Sequence, residues 1–395
     1  MTNRSALWDI FVCFFQLGLT SFGGPAAHIG FFRTEFVTRR QWLSEHDYAQ
    51  LVALCQFLPG PASSQVGMAI GMLRAHYAGA LLAWLGFTLP SALLLIAFAL
   101  GLNHWGDMVP SGLLHGLKIV VVAVVAQAVW GMAQTLCNSR AKFAITLACF
   151  AVLLAWSSVW SQLVVIGAGA LAGWLWLQPA STALPVSALA LQVSKRAALG
   201  WGLAFALLLL LLPLSVSWTA NPTLTLLDSF FRAGSLVFGG GHVVMPLLQA
   251  DLVPTGFISA DRFIAGYGAA QAVPGPLFTF AGFLGASMQQ GPTGIYGGIL
   301  ALLAIFLPAF MLLAAALPFW QTLRTSPSGQ TIMAGVGASV VAILAAALYQ
   351  PIWTSAVANW LDFAAVLLAT TALMYFQLRP WLLVLLGALV GALVF

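Results

Sequence analysis

The stretch FQLGLTSFGGP, from Phe15 to Pro25, returns in the second half of the chain as FRAGSLVFGGG, from Phe231 to Gly241. Further along, the hexapeptide QFLPGP of the first half is matched by QAVPGP in the second half. A proline within an apolar run follows in both halves, in GFTLP and in AIFLP. Because several separate matches occur in the same order, we infer an internal repeat that spans most of the chain.

The composition places this repeat in a membrane. The chain has 395 residues, of which 61% are hydrophobic and only 6% are charged, whereas soluble domains carry roughly 25% charged residues. Apolar runs close to the ~20 residues that cross a bilayer recur along its length. We expect an all-α polytopic membrane protein with about 13 segments, near 6–23, 48–73, 77–102, 111–135, 143–158, 160–178, 198–216, 227–250, 263–288, 294–318, 331–350, 354–376 and 380–395.

An odd number of segments separates matching positions, so the second repeat is expected to lie inverted relative to the first. Two inverted repeats with broken or re-entrant helices are typical of secondary transporters. The expected domains are an N-terminal repeat over 1–180, a linker with one extra transmembrane helix over 181–226, and a C-terminal inverted repeat over 227–395.

Basic residues predict the orientation, because cytoplasmic loops are enriched in Lys and Arg. They favour a cytoplasmic N-terminus, but Arg33, Arg39 and Arg40 would then lie outside if every segment crossed once. Hairpins over 6–38 and 48–73 would bring them inside, at the expense of moving Arg232 and Arg262 outside. Both interpretations remain open, and the hairpins are favoured in the first half.

Glycine and proline interrupt the apolar segments at matched places, and both residues break helices. Broken backbone at membrane depth is tolerated where protein or a water-filled cavity satisfies its polar groups. Each break is followed by a sequence that can restart a helix, such as Ser63 and Ser64 after Pro61, and fresh helix N-termini attract anions. We therefore expect an anion site between Gly23-Gly24-Pro25, Pro59-Gly60-Pro61, Gly239-Gly240-Gly241 and Pro274-Gly275-Pro276.

Polar side chains near the breaks complete the candidate site. Arg33 could neutralise a bound anion, and Arg232 could do the same or lie at the membrane interface. Glu35 and Asp251 occupy matched positions and are candidates for proton coupling, with interfacial solvation as the alternative. The candidate substrate-binding residues are Ser21, Gly23, Gly24, Pro25, His28, Arg33, Gln56, Pro59, Gly60, Pro61, Gly239, Gly240, Gly241, His242, Gln271, Pro274, Gly275 and Pro276.

Other functions find little support in the sequence. No basic or aromatic-basic patch points to nucleic acid, and the four scattered cysteines lack the spacing of a metal site or a disulfide framework. Acids and histidines are not clustered as an enzyme would need, and no ATP-binding motif occurs. We expect no enzyme activity, no cofactor and no metal; a channel or a membrane scaffold remains as an alternative.

The motifs FGGPAAHIGFF in the first half and FGGGHVVMPLL in the second resemble the paired signature motifs of the chromate ion transporter family, in its long two-domain form. QFLPGP and QAVPGP fit that family too. The resemblance implies a bacterial inner-membrane transporter with two oppositely oriented halves. It further implies chromate export, chromate resistance and coupling to the proton-motive force.

Chromate is a tetrahedral dianion, and sulfate has the same shape and charge. The expected partners are therefore chromate, or sulfate as the alternative, together with protons and the lipid bilayer. A homodimer is also open, because small-residue stretches such as GAGALAG, from Gly167 to Gly173, could pack helices within or between protomers.

Overall fold

The computed structural model describes residues 4–22, 24–105, 111–156, 159–179, 193–237, 244–320, 326–378 and 380–394. Within these ranges the regular structure is helical and contains no strand. This confirms the prediction of an all-α polytopic membrane protein.

In the described ranges, the first half of the chain contains seven helices, and an eighth leads into the second half. A π-helical turn, Thr34–Arg39, directly follows the helix Gly24–Arg33. The helices are α1 Arg4–Thr20, α2 Gly24–Arg33, α3 Glu45–Phe57, α4 Ala62–Trp105, α5 Ser111–Leu136, α6 Arg140–Ala155, α7 Val159–Trp176 and α8 Lys195–Thr219.

The second half follows a similar order. A 3-10 turn, Leu277–Thr279, precedes the helix Phe280–Ala286, and another, Leu317–Phe319, follows the helix Gly294–Ala316. A π-helical turn, Leu348–Trp353, and a short helical turn, Thr354–Ala356, follow the helix Pro327–Ala347. The helices are α9 Pro222–Leu236, α10 Val244–Leu252, α11 Ala260–Ala272, α12 Phe280–Ala286, α13 Gly294–Ala316, α14 Pro327–Ala347, α15 Trp360–Met374 and α16 Pro380–Val394.

Among the described residues, five helices are long and apolar enough to cross a membrane. They cover Ala62–Leu102, His115–Leu136, Lys195–Thr219, Gly294–Phe319 and Pro327–Gln350. Shorter apolar helices of 10–17 residues, such as Ala6–Thr20 and Leu382–Leu393, accompany them. The total of about 13 membrane segments remains a prediction.

The first helix pair is a hairpin, because α2 runs back along α1. The Cys13 thiol lies 3.6 Å from the Glu35 carboxylate. The rings of Phe14 and Phe32 meet edge to face with centroids 5.6 Å apart. The turn of the hairpin falls at the glycine break, so the structure agrees with the hairpin interpretation of 6–38.

The next pair, α3 and the first part of α4, is also a hairpin. Trp42 lies just before α3, and the guanidinium of Arg74 sits 4.7 Å from its ring centroid. Arg40 approaches the same ring at 5.5 Å. Both ends of this hairpin are therefore adjacent, and the basic residues of both hairpins gather around one tryptophan.

Helix α4 reverses direction inside its assigned range. Its backbone leaves the helical region at Ala75 and at His76, which has a φ of +52°. A Cβ built on Gly71 or on Gly79 would strike the carbonyl of the other, so the two parts of α4 pack side by side. The sequence analysis separated 48–73 from 77–102 at this same place.

The second half repeats both hairpins. Arg232 of α9 contacts Asp251 of α10, with 2.8 Å between Nη2 and Oδ2. The N–H of Gln289, after α12, donates to the carbonyl of Phe257, before α11, at 2.9 Å. In each pair the second helix therefore runs back along the first, as in the first half.

The chain divides into two compact units. The first contains α1–α4, α8, α9 and α11–α13, and the second contains α5–α7 and α14–α16. Each unit takes helices from both sequence halves. The division into 1–180, 181–226 and 227–395 concerns the repeats rather than these units, and it stays a prediction.

Glycine contacts hold the second unit together at equivalent places in the two halves. A Cβ on Gly335 of α14 would meet the carbonyl of Gly169 in α7, and a Cβ on Gly116 of α5 would meet that of Gly387 in α16. Each long helix therefore packs closely against the last helix of the other half. The GAGALAG stretch is used for packing within this chain, while a homodimer stays a prediction.

Candidate functional site

The two Pro-Gly-Pro motifs form the tips of matching hairpins. Gly60 has a φ of +123° and Gly275 a φ of +97°, a region of backbone space that residues with a Cβ rarely adopt. The prolines on either side carry no N–H. Each tip therefore offers a single backbone donor, the N–H of its glycine.

These two donors bind across the repeats. The N–H of Gly60 donates to the carbonyl of Val237 at 2.6 Å, and the N–H of Gly275 donates to the carbonyl of Ser21 at 2.9 Å. Ser21 and Val237 are matched residues, each directly before a Phe-Gly-Gly motif. The repeated motifs of the two halves are therefore joined by a reciprocal pair of hydrogen bonds inside the first unit.

Glycines at matched positions allow close helix packing in both repeats. A Cβ on Gly18 would lie 2.8 Å from the Phe87 carbonyl oxygen, and a Cβ on Gly234 would strike the Ile305 carbonyl. Gly18 and Gly234 occupy matched positions, as do Phe87 and Ile305. Glycine at these positions lets α1 and α9 approach α4 and α13 closely enough for the tips to bond.

Polar side chains collect at the start of α4. His28 is 1% exposed, and its Nε2 lies 3.2 Å from the carbonyl oxygen of Ser21. Its Nδ1 lies 3.3 Å from the hydroxyl of Ser63. Because a carbonyl can only accept, Nε2 carries the hydrogen and the neutral ring accepts from Ser63 at Nδ1. His28 thus ties the break after α1 to the first turn of α4.

Several buried polar atoms around this histidine have no hydrogen-bond partner in the described part of the chain. They are the hydroxyls of Ser21, Ser64 and Thr88 and the side-chain oxygen of Gln65. Burying such a group without a partner costs about 1–3 kcal/mol. Four such atoms in one region are typical of a place that is built to receive a polar ligand or water.

A buried ionic cluster lies in the second half. Nη2 of Arg232 is 3.1 Å from Oδ2 of Asp228 and 2.8 Å from Oδ2 of Asp251. The Arg232 side chain is only 3% exposed. The Arg232 side chain is therefore enclosed by protein and paired with acids of α9 and α10, while its position relative to the membrane interface stays a prediction. Two carboxylates share one guanidinium, so the cluster carries an excess of negative charge when both are ionised.

The matched acid of the first half, Glu35, lies beyond the apolar helix in the π-helical turn. Its carboxylate accepts from Arg40 and, at 3.1 Å, from Arg39. Partial burial raises the pKa of Glu35, but the two guanidinium groups outweigh it and hold the pKa below its usual range. Both matched acids are thus held by arginine, although the arginines come from different positions.

The whole chain was compared with known proteins. The family model described as "Chromate transporter" matches residues 8–174 and 224–392. The chain belongs to the chromate transporter family. The matched ranges cover both halves, and they include the Phe-Gly-Gly and Pro-Gly-Pro motifs.

Curated relatives of this family member span most of its length. A chromate transport protein of Pseudomonas aeruginosa is 29% identical over 86% of this chain and 79% of its own. One from Cupriavidus metallidurans is 26% identical over 87% of this chain and 82% of its own. An uncharacterized transporter of Methanocaldococcus jannaschii is 25% identical over 98% of this chain and 94% of its own. No solved structure shows a significant match.

The structure brings only part of the expected site of this transporter together. Ser21, His28, Gly60 and Gly275 lie in the region where the tips bond, with Pro59, Pro61, Pro274 and Pro276 beside the glycines. Gly24, with a φ of +76°, and Pro25 begin α2. Gly23, Gly239, Gly240, Gly241 and His242 lie outside the described residues.

The remaining candidates are Arg33, Gln56 and Gln271. Arg33 is at the far end of α2, 57% exposed, and its Nε donates to Glu45 at 2.7 Å. Gln56 is exposed on α3. The Nε2 of Gln271 donates to the hydroxyl of Tyr267 at 2.7 Å. The described structure shows no contact that links Arg33 or Gln56 to the tips, and their binding role stays a prediction.

Sequence reasoning missed some of the residues that surround the tips. Ser63 and Ser64 were recognised only as residues that could restart a helix, while Gln65, Thr88 and Asp228 were not singled out. The position of Asp228 four residues before Arg232 is a helical ion-pair spacing, so the sequence did contain that signal. The unpartnered hydroxyls could be found only from the packed structure.

Proposed function

We propose that this chain exports chromate from the cytoplasm across the bacterial inner membrane and confers chromate resistance. Membership of the chromate transporter family and the names of the curated relatives support the substrate. The observation that carries the mechanism is the reciprocal hydrogen bonding of the Gly60 and Gly275 tips to the opposite repeat.

The tips are suited to such a task because they join the two repeats inside the first unit. Broken helices at the junction of repeats are where secondary transporters bind their substrates. In this proposal the anion binds beside the tips, and the two halves then rock to expose it outside. The bonds from Gly60 to Val237 and from Gly275 to Ser21 are the contacts that such a motion would remodel.

We propose a cytoplasmic N-terminus. Arg40 and Arg74 both contact Trp42, and Arg39 binds Glu35 beside them. Cytoplasmic ends of membrane proteins are enriched in such basic residues. Arg33 fits this basic end better than the anion site, since its guanidinium is exposed and bound to Glu45.

We propose that the proton-motive force drives export, with Glu35 or Asp251 handling the proton. The cluster around Arg232 favours Asp251, because Asp228 and Asp251 share a single guanidinium there. The arginines that bind Glu35 favour its ionised form, so Glu35 would have to leave them before it took up a proton.

The direct test is uptake of radiolabelled chromate into inverted membrane vesicles, with and without a proton gradient, with unlabelled sulfate as competitor. We expect gradient-driven uptake that requires the protein and is lost when the gradient is dissipated. Gradient-independent uptake would remove the proton coupling. Vesicles that accumulate no chromate would remove chromate export.

A carrier for sulfate or another tetrahedral oxyanion is the second candidate. It is favoured by the type of donor near the tips, since hydroxyls and backbone N–H groups recognise a tetrahedral dianion without distinguishing chromium from sulfur. Labelled sulfate taken up faster than labelled chromate in the same vesicles would support this second candidate.

A further inference from the structure

The start of α4 has no capping side chain. Seven helices of the described chain begin after a serine or asparagine whose side chain accepts from the first turn, such as Ser44 before α3 and Ser259 before α11. The first intrahelical bond of α4 runs from the N–H of Gln65 to the carbonyl of Pro61. Proline has no side-chain acceptor, so no capping side chain can come from that position.

The first helical N–H groups of α4 therefore point out of the helix without an intrahelical acceptor. Helix N-termini of this kind attract anions through the N–H groups and the helix dipole. Ala62–Arg74, the part of α4 before the reversal, is long enough to carry such a dipole.

Independent of the backbone, two hydroxyls at this place are buried and lack a partner. Ser21 is 0% exposed and Ser64 is 2% exposed, and neither Oγ has a hydrogen-bond partner in the described chain. The Ser21 carbonyl is occupied, since it accepts from Gly275 and faces Nε2 of His28. The Ser63 hydroxyl is occupied by His28, so at the break and in the first turn of α4 the hydroxyls of Ser21 and Ser64 are available to a ligand.

The matched positions in the second repeat offer no equivalent. Counting from the shared Pro-Gly-Pro, Ser63 and Ser64 correspond to Phe278 and Thr279, and Ser21 corresponds to Val237. The hydroxyl of Thr279 donates to the carbonyl of Pro276 at 2.7 Å. The helix that follows there is a 3-10 turn and the short α12, Phe280–Ala286.

We propose that the tetrahedral oxyanion is held in the N-terminal repeat, by the hydroxyls of Ser21 and Ser64 and the first backbone N–H groups of α4. His28 and Ser63 are positioning residues that hold Ser21 against α4. The second repeat supports Ser21 through the Gly275 bond, and its matched positions Val237, Phe278 and Thr279 offer no unpartnered hydroxyl. The inference rests on the proposed function, because it assigns the anion site that transport requires.

The chemistry suits a carrier. All the assigned donors are neutral, so binding comes from hydrogen bonds to a charged acceptor and from the helix dipole rather than from a permanent ion pair. Hydrogen bonds to charged groups are stronger than those between neutral groups, yet the anion can leave without separating from a fixed cation. Without a bound anion the buried Ser64 hydroxyl has no partner in the described chain, which lowers the stability of the anion-free protein.

The test compares Ser64→Ala with its matched control Thr279→Ala in the purified full-length protein. The readouts are the dissociation constants for chromate and for sulfate, and the rise in Tm that each anion produces. Ser64→Ala should weaken the binding of both anions about tenfold or more, because a hydrogen bond to a charged group is lost. Its Tm without anion should stay the same or rise, because an unpartnered buried hydroxyl is removed.

Thr279→Ala should behave in the opposite way. It loses a satisfied hydrogen bond, so its Tm without anion should fall, while the anion affinities and the anion-induced rise in Tm should persist. Ser64→Thr, which keeps the hydroxyl, should restore most of the affinity. This pattern separates a ligand contact from a merely structural role.

The inference is overturned if Ser64→Ala binds both anions as the unsubstituted protein does, or if Thr279→Ala weakens binding equally. A protein that binds sulfate but not chromate would remove chromate from the proposed function, and the same two variants would then decide the inference with sulfate. A protein that binds neither anion would overturn the site assigned at α4, while chromate uptake into vesicles would still decide the proposed function separately.

Discussion

Replacing Arg232 by methionine should destabilise the protein strongly. Its guanidinium is 3% exposed and is bonded through Nη2 to Asp228 at 3.1 Å and to Asp251 at 2.8 Å. The substitution leaves two buried carboxylates without a counter-charge, and removing one partner of a buried ion pair typically costs about 3–5 kcal/mol. Methionine retains the apolar stem, so lost packing contributes little.

The assay is thermal unfolding of the purified protein, followed by the fluorescence of its 15 tryptophans. Arg33→Met is the matched control, since Arg33 also pairs with an acid, Glu45, but both side chains are more than half exposed. We expect a large fall in Tm for Arg232→Met and almost none for the control. Equal effects would refute the view that burial makes the Arg232 cluster important.

The same cluster allows a second comparison. Arg232 neutralises one of two carboxylates, so Asp228→Asn removes the excess negative charge while keeping a hydrogen-bond acceptor. Combined with Arg232→Met, it should recover part of the lost Tm, because one buried carboxylate then remains instead of two. A double variant as unstable as the sum of the single ones would show that the charges do not interact.

Further predictions concern the tips, the basic end and the second unit. Gly60→Ala should lower the free energy of unfolding by about 1–3 kcal/mol, because a φ of +123° is unfavourable for any residue with a Cβ; it should also reduce chromate uptake. The control Gly131→Ala, with no atom within 4 Å of the added Cβ, should change neither stability nor uptake. The pKa of Glu35 is held below its ordinary value of 4.5. Its ion pairs should therefore stabilise the folded protein above pH 4.5, and this stabilisation should be lost as the pH falls below 4.5 and the carboxylate is protonated. The Tm difference between the unsubstituted protein and Glu35→Gln should therefore shrink in acid, and a constant difference would contradict it. Gly169→Leu should prevent folding into monodisperse protein, judged by size-exclusion chromatography, since its Cβ would meet Ser339 and Gly335. Gly167→Leu in the same stretch should be tolerated, as no atom lies within 4 Å of its added Cβ.

The all-helical membrane class was accessible from the sequence because it depends on composition. A chain with 61% hydrophobic residues and 6% charge can satisfy its backbone in lipid only through helices or a closed barrel. The repeat was equally accessible, since the matched motifs around Gly23 and Gly60 recur in order in the second half. The helix breaks could also be predicted, because a break is caused by the glycine and proline residues at that point of the chain and needs no distant contact.

The choice between hairpins and single spans depended on tertiary contacts. The sequence indicated a problem with single spans, because Arg33, Arg39 and Arg40 would then lie on the outer side of the membrane. A break in a helix, however, does not itself determine whether the chain continues across the membrane or turns back. The contact of Cys13 with Glu35 shows the return, and it joins residues far apart along the chain.

The same reason applies to the candidate site. Sequence alone identified Ser21, Gly60 and Gly275 as residues beside breaks, because each motif is short and contiguous. That Gly60 would bond to Val237 and Gly275 to Ser21 could not be read from either motif. Likewise, Arg232 could be an anion ligand, an interfacial residue or an ion-pair partner until the α9–α10 hairpin placed Asp251 against it. Local chemistry determined where the backbone breaks, whereas the packing of one repeat against the other decided which polar groups those breaks bring together.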